Sequence, residues 1–321
     1  MCQPVLVSDQ RETSVCVLGL GLIGGSVVRA AADAGRTVWG YNRSSSAVVD
    51  ATAEGFDAAD DLPAVLQRAQ REHALIVIAV PMPAVDSVLT AITEHAPDCA
   101  LTDVVSVKAE MLSAVERHGL AARYVGGHPM AGTSESGWAA STADLFHDAV
   151  WVVGTEADAD PIVWSQVAQL ALDCGSVVIP AESVEHDRAV ARISHLPHLL
   201  AEALALSGAA GGDLALTLAA GSFRDGTRVA GTAPDLVRAM CEANSTALLI
   251  ALDETVEVLK AARMALAAAA STADLVTAGH AAHTRYTHRQ RWDITDITPG
   301  DDGWQDALRK AGRRGGALRA L

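Results

Sequence analysis

The sequence predicts an α/β protein in which a doubly wound parallel sheet is followed by an all-helical domain, and three observations predict it. An apolar β run enters a glycine-spaced turn at Ser14 to Ser26, SVCVLGLGLIGGS, and an alanine-rich helical pattern follows. Short β-branched runs then alternate with helical patterns as far as Pro180, an order that implies a parallel sheet with right-handed crossovers. From Ala181 the texture changes to long Ala/Leu-rich segments at helical period without a convincing β run.

Taken in order, strands are expected at Val15 to Gly19, Thr37 to Tyr41, Leu75 to Val80, Ala100 to Val105, Tyr124 to Gly127, Val150 to Val153 and Val177 to Ile179. The turn after the first strand has the spacing that a dinucleotide pyrophosphate needs. Gly19 permits the tight turn, Gly21 lets backbone approach phosphate, and Gly24 lets the helix pack close on the strand. Leu22 and Ile23 open a helix whose free N–H groups and positive dipole end suit an anion. A strand before and a helix after make this a Rossmann-type site and assign residues 14–180 to dinucleotide binding. Residues 181–298 form the helical domain, with Gly211, Gly212, Gly221 and Gly226 as punctuation. Leu236 to Ala270 carries more apolar surface than a small bundle hides, so a homodimer interface is expected in this domain, against the alternative of an ordinary buried helix. Residues 299–321, rich in Gly, Asp and Arg, read as a fraying tail.

Composition narrows the partners. The 321 residues suit about two domains, and 50% hydrophobic content suffices for a sizeable core. A formal net charge of -15 argues against nucleic acid or an anionic membrane surface as the main partner. Cys2, Cys16, Cys99, Cys174 and Cys241 are scattered singly, suggesting neither a disulfide framework nor a zinc site and fitting a reducing cytoplasm. The N-terminus MCQPVLVSDQRETS lacks the pattern of a secretory signal, and no apolar stretch reaches membrane-spanning length.

Cofactor choice is written at the end of the second strand, where the sequence reads WGYNRSSS. Asn42 stands where an acid would bond the ribose hydroxyls of NAD, and Arg43 and Ser44 beside it can accept a 2′-phosphate dianion. The expectation leans toward NADP over NAD, with Arg43 as a mere solvated charge on the other reading. Val80 and Pro81, at the end of the third strand, are expected to line the same site.

Three further segments carry chemistry. GGHPMAGTSESGW, Gly126 to Trp138, puts His128 in a loop after a strand, at the carboxyl edge where open α/β sheets bind ligands. HDRAVARISHLPH, His186 to His198, sets Asp187, Ser194 and His198 along one helix face, and Pro197 should bend that helix. GSFRDGTRVA, Gly221 to Ala230, packs Arg224, Asp225 and Arg228 around glycine turns. With GLGLIGGS in front and TDVVSVK, Thr102 to Lys108, between, this order resembles the prephenate and arogenate dehydrogenases of tyrosine biosynthesis over about residues 14 to 290.

The resemblance implies an NAD(P)-dependent oxidative decarboxylation. A hydride leaves the carbinol carbon of a cyclohexadienol for nicotinamide, the ring loses CO2, and aromatisation makes the step irreversible. It implies that His128 is the catalytic imidazole, a task that suits a side chain mostly unprotonated at neutral pH. Ser106 matches a serine that hydrogen-bonds near the hydroxyl and nicotinamide. His198 and Ser194 match substrate-binding positions, Arg228 matches an arginine that clamps a carboxylate, and Arg224 and Asp225 match a pair supporting the clamp. Prephenate is the expected substrate, with arogenate as the alternative. Neither the additional regulatory domain of some relatives nor feedback by tyrosine is implied.

Other readings compete. His186, His195 and His198 could be caps or buried hydrogen-bonding groups, and their proximity invites a zinc site that no nearby cysteine or carboxylate completes. A β-hydroxyacid dehydrogenase would share the domain plan but generally uses a lysine in the helical domain, and His186 to Arg228 contains none. An NADP-binding sensor without turnover has no need to assemble histidines and arginines.

Overall fold

The computed structural model describes residues 13–133 and 135–321, so Cys2 and Ser134 lie outside it. The chain divides into two units. The first runs as far as His186 and resumes at Trp292–Leu321; the second is Asp187–Arg291.

In the first unit, strands β1 (Val15–Leu18), β2 (Val38–Tyr41), β3 (Ala58–Ala59), β4 (Leu75–Ile78) and β5 (Leu101–Asp103) form a parallel sheet in the order β3-β2-β1-β4-β5. Helices α1 (Leu22–Asp33), α2 (Ser45–Ala53), α3 (Leu62–Glu72) and α4 (Val85–His95) make the crossovers, and α5 (Ala109–Arg117) follows β5. Both faces of the sheet are covered: Val15, Val17, Leu75 and Val77 point into one core, and Cys16, Leu18, Ile76 and Ile78 into the other. That is why these strands are unbroken apolar runs rather than alternating ones. The starts of α3 and of α6 (Pro161–Asp173) are written plainly, since Asp61 and Asp160 accept first-turn N–H groups and Pro63 and Pro161 stand in the first turn.

The single parallel sheet expected from sequence is in fact two sheets. Strands β6 (Gly127–Pro129), β7 (Val150–Gly154) and β8 (Val177–Ala181) form a separate three-stranded sheet, in which β6 runs antiparallel to β7. Tyr124, expected to open the β6 strand, makes only an isolated bridge to Leu101, and its hydroxyl donates a buried hydrogen bond to Asp103. The two-residue β3 carries too little pattern to be read from sequence.

Between β8 and Trp292 the chain is helical: α7 (Ser183–Val190), α8 (Leu196–Ala210), α9 (Gly212–Thr217), α10 (Gly221–Thr227), α11 (Pro234–Ala243), α12 (Ser245–Ala269) and α13 (Ala273–Thr287). In the second unit Ala191, Leu196, Val237, Cys241, Leu248 and Ala251 form a small core, and Leu249, Ile250, Leu259, Met264 and Leu266 of α12 stay exposed. Pro197, expected to bend its helix, stands just after a local change in the helical ladder. A π turn over Ala191–His195 precedes it, closed by Leu196 N–H on Ala191 carbonyl, and the α ladder restarts with Pro197 in its first turn, where its missing N–H costs nothing.

Residues 299–321 are not a fraying tail. Helix α14 (Trp304–Arg313) packs into the first unit with Trp304, Leu308 and Ala311 buried, and the Trp304 ring meets Trp164 edge-on at 5.6 Å. Strand β10 (Gly316–Ala317) pairs with β9 (Trp292–Asp293), and Leu318 exchanges backbone hydrogen bonds with Val178. The spacing of those three apolar residues, i, i+4, i+7, is a helical stripe that the polar composition obscures.

Candidate active site

The glycine turn has the shape its spacing predicts. Gly19 adopts φ +114°, and a Cβ there would lie 2.4 Å from the Ala79 carbonyl oxygen. A Cβ on Gly24 would lie 1.9 Å from the Gly19 carbonyl oxygen, so only glycine lets α1 start this close to β1. Gly21 faces open space and caps α1 without any side-chain hydrogen bond, which leaves first-turn N–H groups around Leu22 and Ile23 directed outward. Val80 and Pro81 follow β4, next to β1 across the point where strand order reverses. An anion-accepting turn, space above it and a switch point fit a dinucleotide.

Asn42 follows β2 and performs a task that sequence did not suggest. Its Oδ1 accepts the Leu20 N–H at 3.1 Å, and its Nδ2 donates to the Ser44 carbonyl at 3.4 Å, so it ties the glycine turn to the loop behind it. Ser44 stands at the start of α2 without accepting a backbone N–H of the helix; its hydroxyl pairs instead with the Ser46 hydroxyl at 2.8 Å. Asp60, on the separate connection after β3, reaches the start of α2 and accepts from the Ser45 hydroxyl at 2.7 Å.

Ser106 and His128 are mounted by one buried network. Asp103, at the end of β5, is fully buried and accepts from the Tyr124 hydroxyl at 2.6 Å, Val105 N at 2.7 Å and Gly127 N at 3.3 Å. The Lys108 ammonium, 2% exposed, pairs with the same carboxylate and donates to the Gly127 carbonyl at 2.7 Å. Asp103 and Lys108 thus bracket the loop that carries Ser106 and fix the residue before His128. Neither was singled out from sequence, although an aspartate and a lysine five apart around an apolar strand end, in TDVVSVK, is a signal for such a pair.

His128 lies on β6 opposite Val152, half-buried, with its Nδ1 2.8 Å from Nε2 of His186. His186 on α7 is buried, which settles the alternatives left open for it in favour of a buried hydrogen-bonding group. Among the described residues no set of three or more metal-binding side chains comes together.

In the second unit Ser194 and His198 are half-buried, on the π turn and on α8. His195 is fully buried; Asn244 Nδ2 donates to its Nδ1 at 3.1 Å and to the Asp187 carbonyl at 2.8 Å. Asn244, not anticipated, locks the π turn against the end of α11. Arg224 and Asp225 are largely exposed and 3.6 Å apart, and Arg228, beyond α10, is exposed.

The chain matches the nucleotide-binding domain of prephenate dehydrogenase over residues 27–180 and the dimerization domain of prephenate dehydrogenase over residues 182–277. It is 31% identical over 262 residues to a cyclohexadienyl dehydrogenase of Zymomonas mobilis, covering 79% of this chain and 88% of that one. A crystal structure from Corynebacterium glutamicum, described as a candidate prephenate dehydrogenase, is 47% identical with a TM-score of 0.92, covering 96% of this chain and 99% of the other. The arogenate dehydrogenase of Synechocystis is 28% identical with a TM-score of 0.71, covering 85% of this chain and all of the other, 100%. With a Rossmann-type nucleotide domain, a helical domain and both matches in the same order, this chain belongs to the prephenate dehydrogenase family.

Proposed function

We infer that this chain oxidatively decarboxylates prephenate to 4-hydroxyphenylpyruvate with a nicotinamide dinucleotide, a step of tyrosine biosynthesis. The observation that carries the reading is family membership across both domains, joined to an imidazole mounted on a strand of the nucleotide-binding unit. Arogenate is the second reading, favoured by the likeness to the Synechocystis enzyme.

The bound nicotinamide would supply the hydride acceptor. Gly19, Gly21 and Gly24, with the backbone of Leu22 and Ile23, would hold its pyrophosphate, and Val80 and Pro81 would line the cleft beside it. His128 accepts the hydroxyl proton of the ring; Nε2 is assigned that role because Nδ1 is engaged by His186. Ser106 orients the same hydroxyl, and Arg228 forks a substrate carboxylate, with His198 and Ser194 as further polar contacts and the Arg224–Asp225 pair supporting the clamp. Loss of CO2 and aromatisation then complete the reaction.

NADP is the proposed preference. Arg43, the Ser44 and Ser46 hydroxyls and the start of α2, free of a side-chain cap, support it, and the Asp60 carboxylate beside Ser45 opposes it. A homodimer through the helical unit is supported by the dimerization-domain match and the exposed leucines of α12. A cytoplasmic location fits the buried free thiols Cys16, Cys99, Cys174 and Cys241.

The test mixes the protein with NADP or NAD and with prephenate or arogenate, and follows the absorbance of reduced cofactor. Reduction with prephenate is expected, and none in all four mixtures sinks the reading. His128→Asn should lower kcat by roughly 10²-fold while cofactor affinity holds, and an unchanged kcat removes His128 from the chemistry.

A further inference from the structure

His128 and His186 meet edge to face, with ring centroids 5.0 Å apart, planes at 74°, and Nδ1 of the first 2.8 Å from Nε2 of the second. A hydrogen bond there needs one donor and one acceptor, and a neutral imidazole offers one of each. Two arrangements follow. If His186 donates, His128 carries its own proton on Nε2 and has no lone pair there. If His128 donates from Nδ1, its Nε2 keeps a lone pair. Only the second arrangement gives His128 a basic nitrogen to turn toward a hydroxyl.

The support of His186 is built to hold one ring position. It is 4% exposed, on a helix whose first turn is gripped by Glu156, which accepts the Ser183 N–H at 3.0 Å and the Ser183 hydroxyl. The neighbouring Glu185 is held by Arg313 of α14, through Nε at 2.8 and 3.0 Å. With the turn leading into it anchored at Ser183 and Glu185 and its own ring buried, His186 presents Nε2 beside β6.

We propose that His186 is a positioning residue for the dehydrogenase reaction: its Nε2 accepts the Nδ1–H of His128 and so holds His128 in the tautomer with Nε2 unprotonated. This rests on the reading of His128 as the proton acceptor. In the reaction the substrate O–H bond breaks, an N–H bond forms on Nε2 of His128, and the Nδ1–H stays on His128, shared with His186. The proton leaves to water after product departs. A carboxylate in the place of His186 would fix the same tautomer but would favour the cationic, non-accepting form of His128 through its charge. A neutral imidazole orients without that bias.

Two measurements test this. In protein labelled with ¹⁵N-histidine, long-range nitrogen–proton spectra separate the two tautomers, with His128 and His186 assigned from His128→Asn and His186→Gln. The Nδ1–H tautomer at His128 is expected; the Nε2–H tautomer overturns the proposal, whichever substrate the protein turns over. In kinetics, His186→Leu should lower kcat by roughly 10- to 100-fold, the scale for losing the partner that orients a working histidine, with KM nearly unchanged. His186→Gln places an acceptor near the former Nε2 and should restore most of kcat. Wild-type kcat in the leucine variant, or equal losses in both, overturns the proposal. If the leucine variant does not fold, the glutamine variant and the spectra of the unmodified protein still decide. Absence of turnover in unmodified protein that shows the expected tautomer would count against the reaction and not against the pairing.

Discussion

Lys108→Met removes an ammonium while keeping most of the side-chain length, and it strikes the network under Ser106 and His128. Asp103 would stay fully buried with its charge uncompensated, keeping the Tyr124 hydroxyl, Val105 N and Gly127 N as donors. Breaking a buried ion pair from one side costs about 3 to 5 kcal/mol, and three surviving donors put this case at the lower edge, about 3 kcal/mol. For a unit of this size that is a fall of about 6 to 12 °C in Tm. Adding Asp103→Asn removes the stranded charge and should recover about half the loss. Thermal melts of the wild type, the single variant and the double variant measure both terms. The Gly127 carbonyl also loses its 2.7 Å bond, so kcat should fall in the single variant. A loss below about 1 kcal/mol, the scale of an exposed pair, would refute the buried-pair argument.

Three further outcomes are expected. Arg228→Lys keeps the charge and loses the planar fork, so KM for substrate should rise by a factor equivalent to about 2 to 4 kcal/mol; an unchanged KM places Arg228 outside the site. Asn42→Asp retains an acceptor for Leu20 N and adds a charge, so the turn should survive while preference moves toward NAD. If kcat/KM for NAD already exceeds that for NADP in the unmodified chain, the reading of Arg43 and Ser44 is wrong. Leu308→Ala, at a fully buried position of α14, should cost about 2 to 5 kcal/mol in a denaturant titration, and a neutral result would mean that the last helix contributes little to the core.

The elements that sequence made legible are those whose pattern is local. Gly19, Gly21 and Gly24 announce their turn because backbone geometry there admits no side chain, and the core strands show as apolar runs because both faces are covered. What stayed hidden depends on partners distant in the chain. The antiparallel direction of β6 is set by β7, about twenty residues later, and nothing within GGHP encodes it. The role of Asp103 becomes visible only once Tyr124 and Gly127 are seen around it. Asn42 was read for its charge alone, and its hydrogen bond to Leu20 spans 22 residues. His186 was legible as a histidine in a helix, whereas its ring partner lies 58 residues earlier.

Helix α14 bears on how the protein is made. The residues that cover Trp164 and pair with Val178 are translated after the whole helical unit, although they complete the unit translated first. A chain emerging from the ribosome therefore has its β-rich half available early, with the Trp164 side of that core waiting for Trp304 and Leu308. The helical unit enters and leaves as an excursion from one body and has time to fold before that body closes. Emergence of Trp292–Leu321, and not that of the last β-strand of the nucleotide-binding sheet, completes the core of the first unit.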